Sequence, residues 1–106
     1  MKSKIQFADK KVEKLLEKLR IENPDMHKFL LRAFEDLEKN VFCGIQIPKR
    51  LIPKEYIQKH KIRNVWKYNL PDAWRLIYSI ENKQVCILSI ILEWMDHKEY
   101  ERRFKY

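Results

Sequence analysis

The chain reads as an α+β domain: two amphipathic helices form a hairpin on one face of a small antiparallel sheet, in the order β-α-α-β-β-β. Three observations predict it. Two early stretches carry apolar residues at helical spacing: Val12, Leu15, Leu16 and Leu19, then Met26, Phe29, Leu30, Ala33, Phe34 and Leu37. Three later runs, Val65 to Leu70, Trp74 to Ile80 and Val85 to Ile91, are β-branched and aromatic. The lone glycine and the four prolines fall between these segments. At 106 residues, positions 1–106 suffice for one domain with a two-layer core.

In order along the chain, Ile5 and Phe7 alternate with Gln6 in a short opening strand. Asp9 offers an N-cap to the first helix. Asn23-Pro24-Asp25 restarts the second, with proline in the first helical position where its missing N–H costs nothing. Residues 41–63 are less regular, because Gly44, Pro48 and Pro53 prevent a long helix, although one or two turns fit Lys54 to His60. In the strands, Trp66, Tyr68 and Leu70 share a face opposite Val65, Lys67 and Asn69. Trp74, Leu76, Tyr78 and Ile80 likewise lie opposite Arg75, Ile77 and Ser79. Pro71-Asp72 and Asn82-Lys83 mark tight turns, giving an antiparallel meander. The last run is apolar on both faces, as a central strand requires. The sheet face away from the helices is expected to be partly open.

Lys and Arg number 23 against 15 acids, a net charge of +8, so a polyanion, nucleic acid above all, is the expected partner class. The excess is local. Residues 1–40 hold ten Lys/Arg against eight acids, residues 41–80 eight against two, and residues 81–106 five against five. Two cysteines, Cys43 and Cys86, are too few for a disulfide framework and read as buried free thiols. Met1-Lys2-Ser3-Lys4 leads straight into polar sequence and no apolar run nears membrane-spanning length, so the expected compartment is the cytoplasm, with no membrane partner. His27, His60 and His97 lack metal-ligand spacing, and no phosphate-cradling glycine loop exists. Neither a metal site nor a cofactor is expected.

Three features carry chemistry. Between Lys49 and Arg63 there are six Lys/Arg and His60 against Glu55 alone. Within and beside this stretch Lys49, Arg50, Lys54, Lys61, Arg63 and Lys67 are candidates for holding RNA. Arg75 is a long cation inside an apolar strand, on the face opposite Trp74 and Leu76; burial without a partner is costly, so it meets water, a phosphate or a carboxylate such as Glu81 or Glu93. His97, Lys98 and Tyr100 follow the last strand at once. Metal-free RNA cleavage needs a base for the 2′-hydroxyl, an acid for the leaving 5′-oxygen and positive charge on the transition state. Histidine can be acid or base, tyrosine a base beside cations, and Lys98 and Arg75 can supply the charge.

The pattern as a whole resembles the RelE/ParE superfamily of small toxins from bacterial and archaeal toxin–antitoxin pairs. Trp74-Arg75-Leu76-Ile77-Tyr78 is similar to the family's aromatic-Arg-aliphatic-aliphatic-Tyr strand. His97-Lys98-Glu99-Tyr100 resembles the His-x-x-Tyr ending of the HigB-like branch, with Lys98 at the usual arginine position. The resemblance implies a type II toxin, an endoribonuclease cleaving mRNA in the ribosomal A site without metal or cofactor. Arg75 would bind or protonate the phosphate and Tyr100 or His97 would act as base. Lys67 stands for one of the two lysines that RelE-like chains carry in the preceding strand; Trp66 and Tyr68 occupy the neighbouring positions. The resemblance also implies an acidic antitoxin as partner, for which Trp94, Met95, Phe104 and Tyr106 offer apolar docking side chains, the competing reading being ordinary packing of the C-terminal segment. Two other functions compete: a non-catalytic module of the same fold that binds nucleic acid or protein by charge, and a ParE-like gyrase inhibitor.

Overall fold

The two predicted caps start the two long helices. The Asp9 carboxylate accepts from the Val12 N–H at 3.0 Å and opens α1 (Lys10–Glu22). The Asn23 side chain accepts from the Met26 N–H at 3.2 Å and opens α2 (Pro24–Lys39), while its backbone N–H closes α1 on Leu19 O at 2.8 Å. One asparagine thus ends one helix and begins the next, which forces the hairpin. Of the α1 stripe Val12 and Leu16 are buried, while Leu15 is exposed; α2 buries Met26, Leu30, Ala33, Phe34 and Leu37. The computed structural model describes residues 1–83 and 86–104, so Val85 and Tyr106 lie outside the described residues.

The described residues form an α+β fold with a five-stranded sheet and four α-helices. The strands are β1 (Lys4–Phe7), β2 (Ile45–Gln46), β3 (Trp66–Asn69), β4 (Arg75–Asn82) and β5 (Ile87–Met95), arranged β1-β5-β4-β3-β2. The sheet is mixed, not antiparallel as expected: β3, β4 and β5 form the meander, but β1 pairs parallel with β5, Ile5 opposite Ser89. Tight turns dictate antiparallel neighbours, whereas β1 and β5 are joined through the helical hairpin and the meander, a long connection that permits parallel pairing. Ser3 Oγ donates to Leu37 O at 2.8 Å, so the Ser89 hydroxyl, 2.8 Å away and fully buried, must be the donor to Ser3.

The order also departs from the expected one by added elements. Between α2 and β3 come the two-residue β2, a 3-10 turn at Lys49–Leu51 and α3 (Lys54–His60), the last on the residues where one or two turns were expected, and after β5 comes α4 (His97–Phe104). These fill the face expected to be open. The helical hairpin packs with Leu76, Tyr78 and Ile91 on one side. On the other side, Ile77, Ile90, Leu92 and Met95 are covered by Ile52 and Tyr56 and by Tyr100 and Phe104 of α4. Tyr100 and Phe104 stand one turn apart on α4, which gives that short helix an apolar side facing the sheet. Trp94 is half-buried against the hairpin side, and Met95 and Phe104 are core. Packing therefore accounts for those three, rather than a docking surface.

A register shift in the β4–β5 pair sets the second layer. Ile77 faces Glu93 and Tyr78 faces Ile91, leaving Leu92 as an extra residue on β5. Such a bulge re-aims the side chains beside it. Leu92 enters the second core and Glu93 turns to α3 and α4, where Tyr56 and Arg103 bind it.

The thiols also differ from expectation. Neither cysteine is in a disulfide, but Cys43 is exposed and Cys86 half-buried, because in the Val41–Cys43 3-10 turn Val41 takes the inward position. No helix of the described residues is long and apolar enough to cross a membrane.

Candidate active site

Arg75 opens β4 directly after the Pro71–Ala73 turn and sits opposite Met95 near the end of β5. Two residues past Met95 the chain enters α4, whose first turn is capped by Asp96: its Oδ1 accepts from the Glu99 N–H at 2.9 Å. Strand register and cap together bring Arg75 and the first turn of α4 onto one patch. Arg75 Nη2 lies 3.4 Å from His97 Nδ1, and the guanidinium carbon lies 5.8 Å from the centre of the Tyr100 ring. Lys67 Nζ stands 4.8 Å over that ring. Lys67 and Asn69 share this face of β3, and Asn69 is the cross-strand neighbour of Arg75.

The contacts fix the imidazole. A guanidinium only donates, so Nδ1 must offer its lone pair to Arg75. Nε2 then carries the proton and donates to the Glu101 carboxylate, one turn further along α4. The resulting Glu101–His97 pair leaves a basic nitrogen aimed at the guanidinium. Arg75 Nη1 also donates to Trp74 O at 3.2 Å, while its buried Nε has no acceptor. Tyr100, 2 % exposed, stacks on Phe104 at 4.8 Å and presents its ring as a platform for the two cations.

Glu93 and Glu81, the carboxylates expected to compete for Arg75, are engaged elsewhere. Glu81 pairs with Lys83 at 2.8 Å. Glu93 accepts from the Tyr56 hydroxyl and from Arg103 Nη1, and Arg103 Nε donates to Glu99 at 2.7 Å. Arg102 Nε adds a bond to Glu99 at 3.0 Å. Hydrogen bonds from Arg102 and Arg103 hold the Glu99 carboxyl down to about 2. Burial, then the hydrogen bond to Glu93, pushes the Tyr56 phenol well above its ordinary value. This network pins the last turn of α4 to the bulged strand and so fixes the turn that carries His97.

The structure therefore brings Arg75, His97, Tyr100 and Lys67 together. Lys98 is exposed; consecutive helical residues diverge by ~100°, so His97, Tyr100 and Glu101 share a side of α4 that Lys98 leaves. Lys67, expected both to hold RNA and to stand for one of the two strand lysines of RelE-like chains, stands in the cluster. The rest of the expected RNA-binding set is divided. Arg50 and Lys54 line a shallow hollow with Arg103 and Phe104, and exposed Lys49 lies next to it in sequence, whereas Lys61 and Arg63 line a separate groove. Glu101 and Asn69 were not anticipated. The signal for Glu101 was its spacing of four from His97 in a helix; Asn69 required the strand register.

No family model matches this chain, and no curated protein or solved structure matches it either. Among the described residues no group of three or more His, Cys, Asp or Glu side chains is arranged to hold a metal ion.

Proposed function

We propose that the chain is a toxin of the RelE/HigB type: a metal-independent endoribonuclease that cleaves mRNA on the ribosome and is held inactive by an acidic antitoxin. The observation that carries this reading is the contact between Arg75 Nη2 and His97 Nδ1, with Nε2 bound to Glu101. It sets a phosphate-binding fork beside a lone pair able to take a proton. The guanidinium keeps an unpartnered Nε–H beside its Nη–H groups, a pair of parallel donors of the kind that two phosphate oxygens accept. His97 Nδ1 removes the 2′-hydroxyl proton, the 2′-oxygen attacks phosphorus, and the bond to the 5′-oxygen breaks. We assign protonation of that leaving oxygen to the Lys67 ammonium, and stabilisation of the charged intermediate to Arg75 and Lys67 together. Tyr100 is the platform under both cations and His97 is the base.

The succession strand, two helices, then a three-stranded meander supports the family reading once the short elements after α2 are set aside. The basic segment 49–67 would face RNA or ribosome, and the cytoplasm is the compartment that follows from such a target. The test is direct. Purified protein free of antitoxin is expected to cut mRNA on translating ribosomes in EDTA. Arg75→Ala is expected to lower the rate by about 10²-fold or more, as for loss of one oxyanion donor. Cleavage undiminished in that variant removes the arginine from the mechanism; DNA breaks without mRNA loss would favour the gyrase-directed reading.

A further inference from the structure

A second concave surface lies on the same sheet face at the far end of β4. Ser79 is four residues beyond Arg75, ~13 Å at ~3.3 Å per residue, and with Ile90 it floors a groove of about 600 Å³. One wall is the segment His60 to Asn64, and Gln6 and Ala8 form the other side. Asn64 is fully committed to structure: its Oδ1 accepts from the Ile80 N–H at 2.8 Å and from Ser79 Oγ at 3.3 Å, and its Nδ2 donates to Ile80 O at 2.9 Å. That clamp holds the wall against the strand and keeps the groove open.

The charge of the groove is one-sided. Lys61 and Arg63 are exposed and have no ion-pair partner among the described residues, while Glu81, the acid at the rim, is neutralised by Lys83. Lys61 also ends α3 with φ 52°, a left-handed conformation that side-chain-bearing residues rarely adopt. This turn swings residues 61–64 over the sheet and sets two cations at its mouth. The polar groups left over are those that read a base: the exposed Gln6 and Asn82 amides line the groove and make no side-chain hydrogen bond among the described residues. Burial and neighbouring Lys59 lower the His60 pKa, so at neutral pH its ring adds an uncharged flat surface.

We propose that this groove binds a ribonucleotide. Lys61 and Arg63 hold its phosphate, the apolar floor of Ala8, Ile62 and Ile90 takes the base, and Gln6 and Asn82 hydrogen-bond the base edge. The same chemistry is offered by a free nucleotide and by one nucleotide of an RNA strand whose scissile phosphate sits at Arg75. The strand version rests on the nuclease reading; the groove itself does not.

The test uses the full chain carrying Arg75→Ala, so that no cleavage intervenes, and follows backbone amide signals on titration with adenosine 5′-monophosphate, inorganic phosphate and tetra-adenylate. Saturable shifts are expected at residues 60–64 and 79–82 with the monophosphate, with inorganic phosphate binding about tenfold more weakly. Arg63→Glu, at an exposed position, is expected to weaken the monophosphate about tenfold or more. Gln6→Ala, which removes no charge, should weaken the monophosphate and leave inorganic phosphate unchanged. Tighter binding of tetra-adenylate than of the monophosphate assigns the groove to an RNA strand, and equal or weaker binding assigns it to a free nucleotide. Absence of saturable shifts in the groove, equal response to inorganic phosphate, or indifference to Arg63→Glu would overturn the proposal. Because cleavage is not read, such a failure leaves the nuclease reading intact, and failure of the nuclease assay leaves the groove intact.

Discussion

Arg75 and His97 meet at 3.4 Å across the junction of β4 with the first turn of α4, guanidinium Nη2 against imidazole Nδ1. The relationship has a built-in direction, because arginine cannot accept and so dictates which ring nitrogen carries the lone pair. Glu101 completes it from the far side of the ring. The cluster thus presents an oriented imidazole lone pair beside a guanidinium, held by strand register on one side and a helix cap on the other.

If Glu101 orients the ring, its loss should scramble the tautomer. Nitrogen chemical shifts of His97 are expected to report the Nε2–H form in the native chain and a mixture in Glu101→Ala. Removal of such an orienting partner is expected to lower cleavage by about 10- to 100-fold. A single unchanged tautomer in the variant would remove Glu101 from the account.

Tyr100 separates platform from base. With the ring kept and the hydroxyl removed, Tyr100→Phe should retain cleavage within about tenfold and leave the fold intact. Tyr100→Ala empties a core site against Phe104 and should cost ~3–5 kcal/mol in denaturant unfolding. Abolition of cleavage by the phenylalanine variant would make the phenol, not His97, the base.

Gly44 is required by close approach rather than by its backbone angles. A Cβ there would lie 2.5 Å from Lys67 O and 2.5 Å from the Tyr78 hydroxyl, which donates to Val41 O at 2.8 Å and accepts from the Gly44 N–H at 3.2 Å. Gly44→Ala should therefore destabilise by ~1–3 kcal/mol and loosen β2 from β3, next to Lys67. Thermal unfolding indistinguishable from the native chain would contradict the packing described.

Glu99 gives a pH dependence with a defined sign. Its carboxyl is held at about 2, below the ordinary ~4.3, so the unfolded chain takes up its proton first as pH falls. The stability contributed by its bonds to Arg102 and Arg103 is complete above ~4.3 and lost as pH drops towards 2. The difference in urea midpoint between the native chain and Glu99→Gln should accordingly shrink between pH 5 and about pH 2. A difference that is constant or grows on acidification would show that these bonds do not hold α4.

Much of this arrangement was legible in the sequence where local rules act. The caps Asp9 and Asn23, the α2 stripe and the face assignments of Trp66, Tyr68, Leu76 and Tyr78 all follow from short-range geometry. So did the meeting of Arg75 with the segment after the last strand, since the short connection after Asn82 folds β5 back along β4. Long-range choices were not legible. Nothing local tells β1 to run parallel to β5, and the extra residue Leu92 that aims Glu93 away from Arg75 leaves no mark in an evenly apolar run. The direction of Lys98 was not legible either, because a helix that starts at His97 turns consecutive side chains apart. The basic segment is continuous in sequence; α3 and the left-handed turn at Lys61 send its two halves to separate hollows.

The central claim is that Arg75 and His97 act on one phosphate as a unit. The most direct measurement is a double-mutant cycle on single-turnover RNA cleavage with Arg75→Ala, His97→Ala and both together. Groups working on one transition state are non-additive, so the double variant should be about as slow as the slower single variant, with a coupling on the order of 1–3 kcal/mol. Rate losses that simply multiply would mean two side chains 3.4 Å apart that act independently, and would contradict the account.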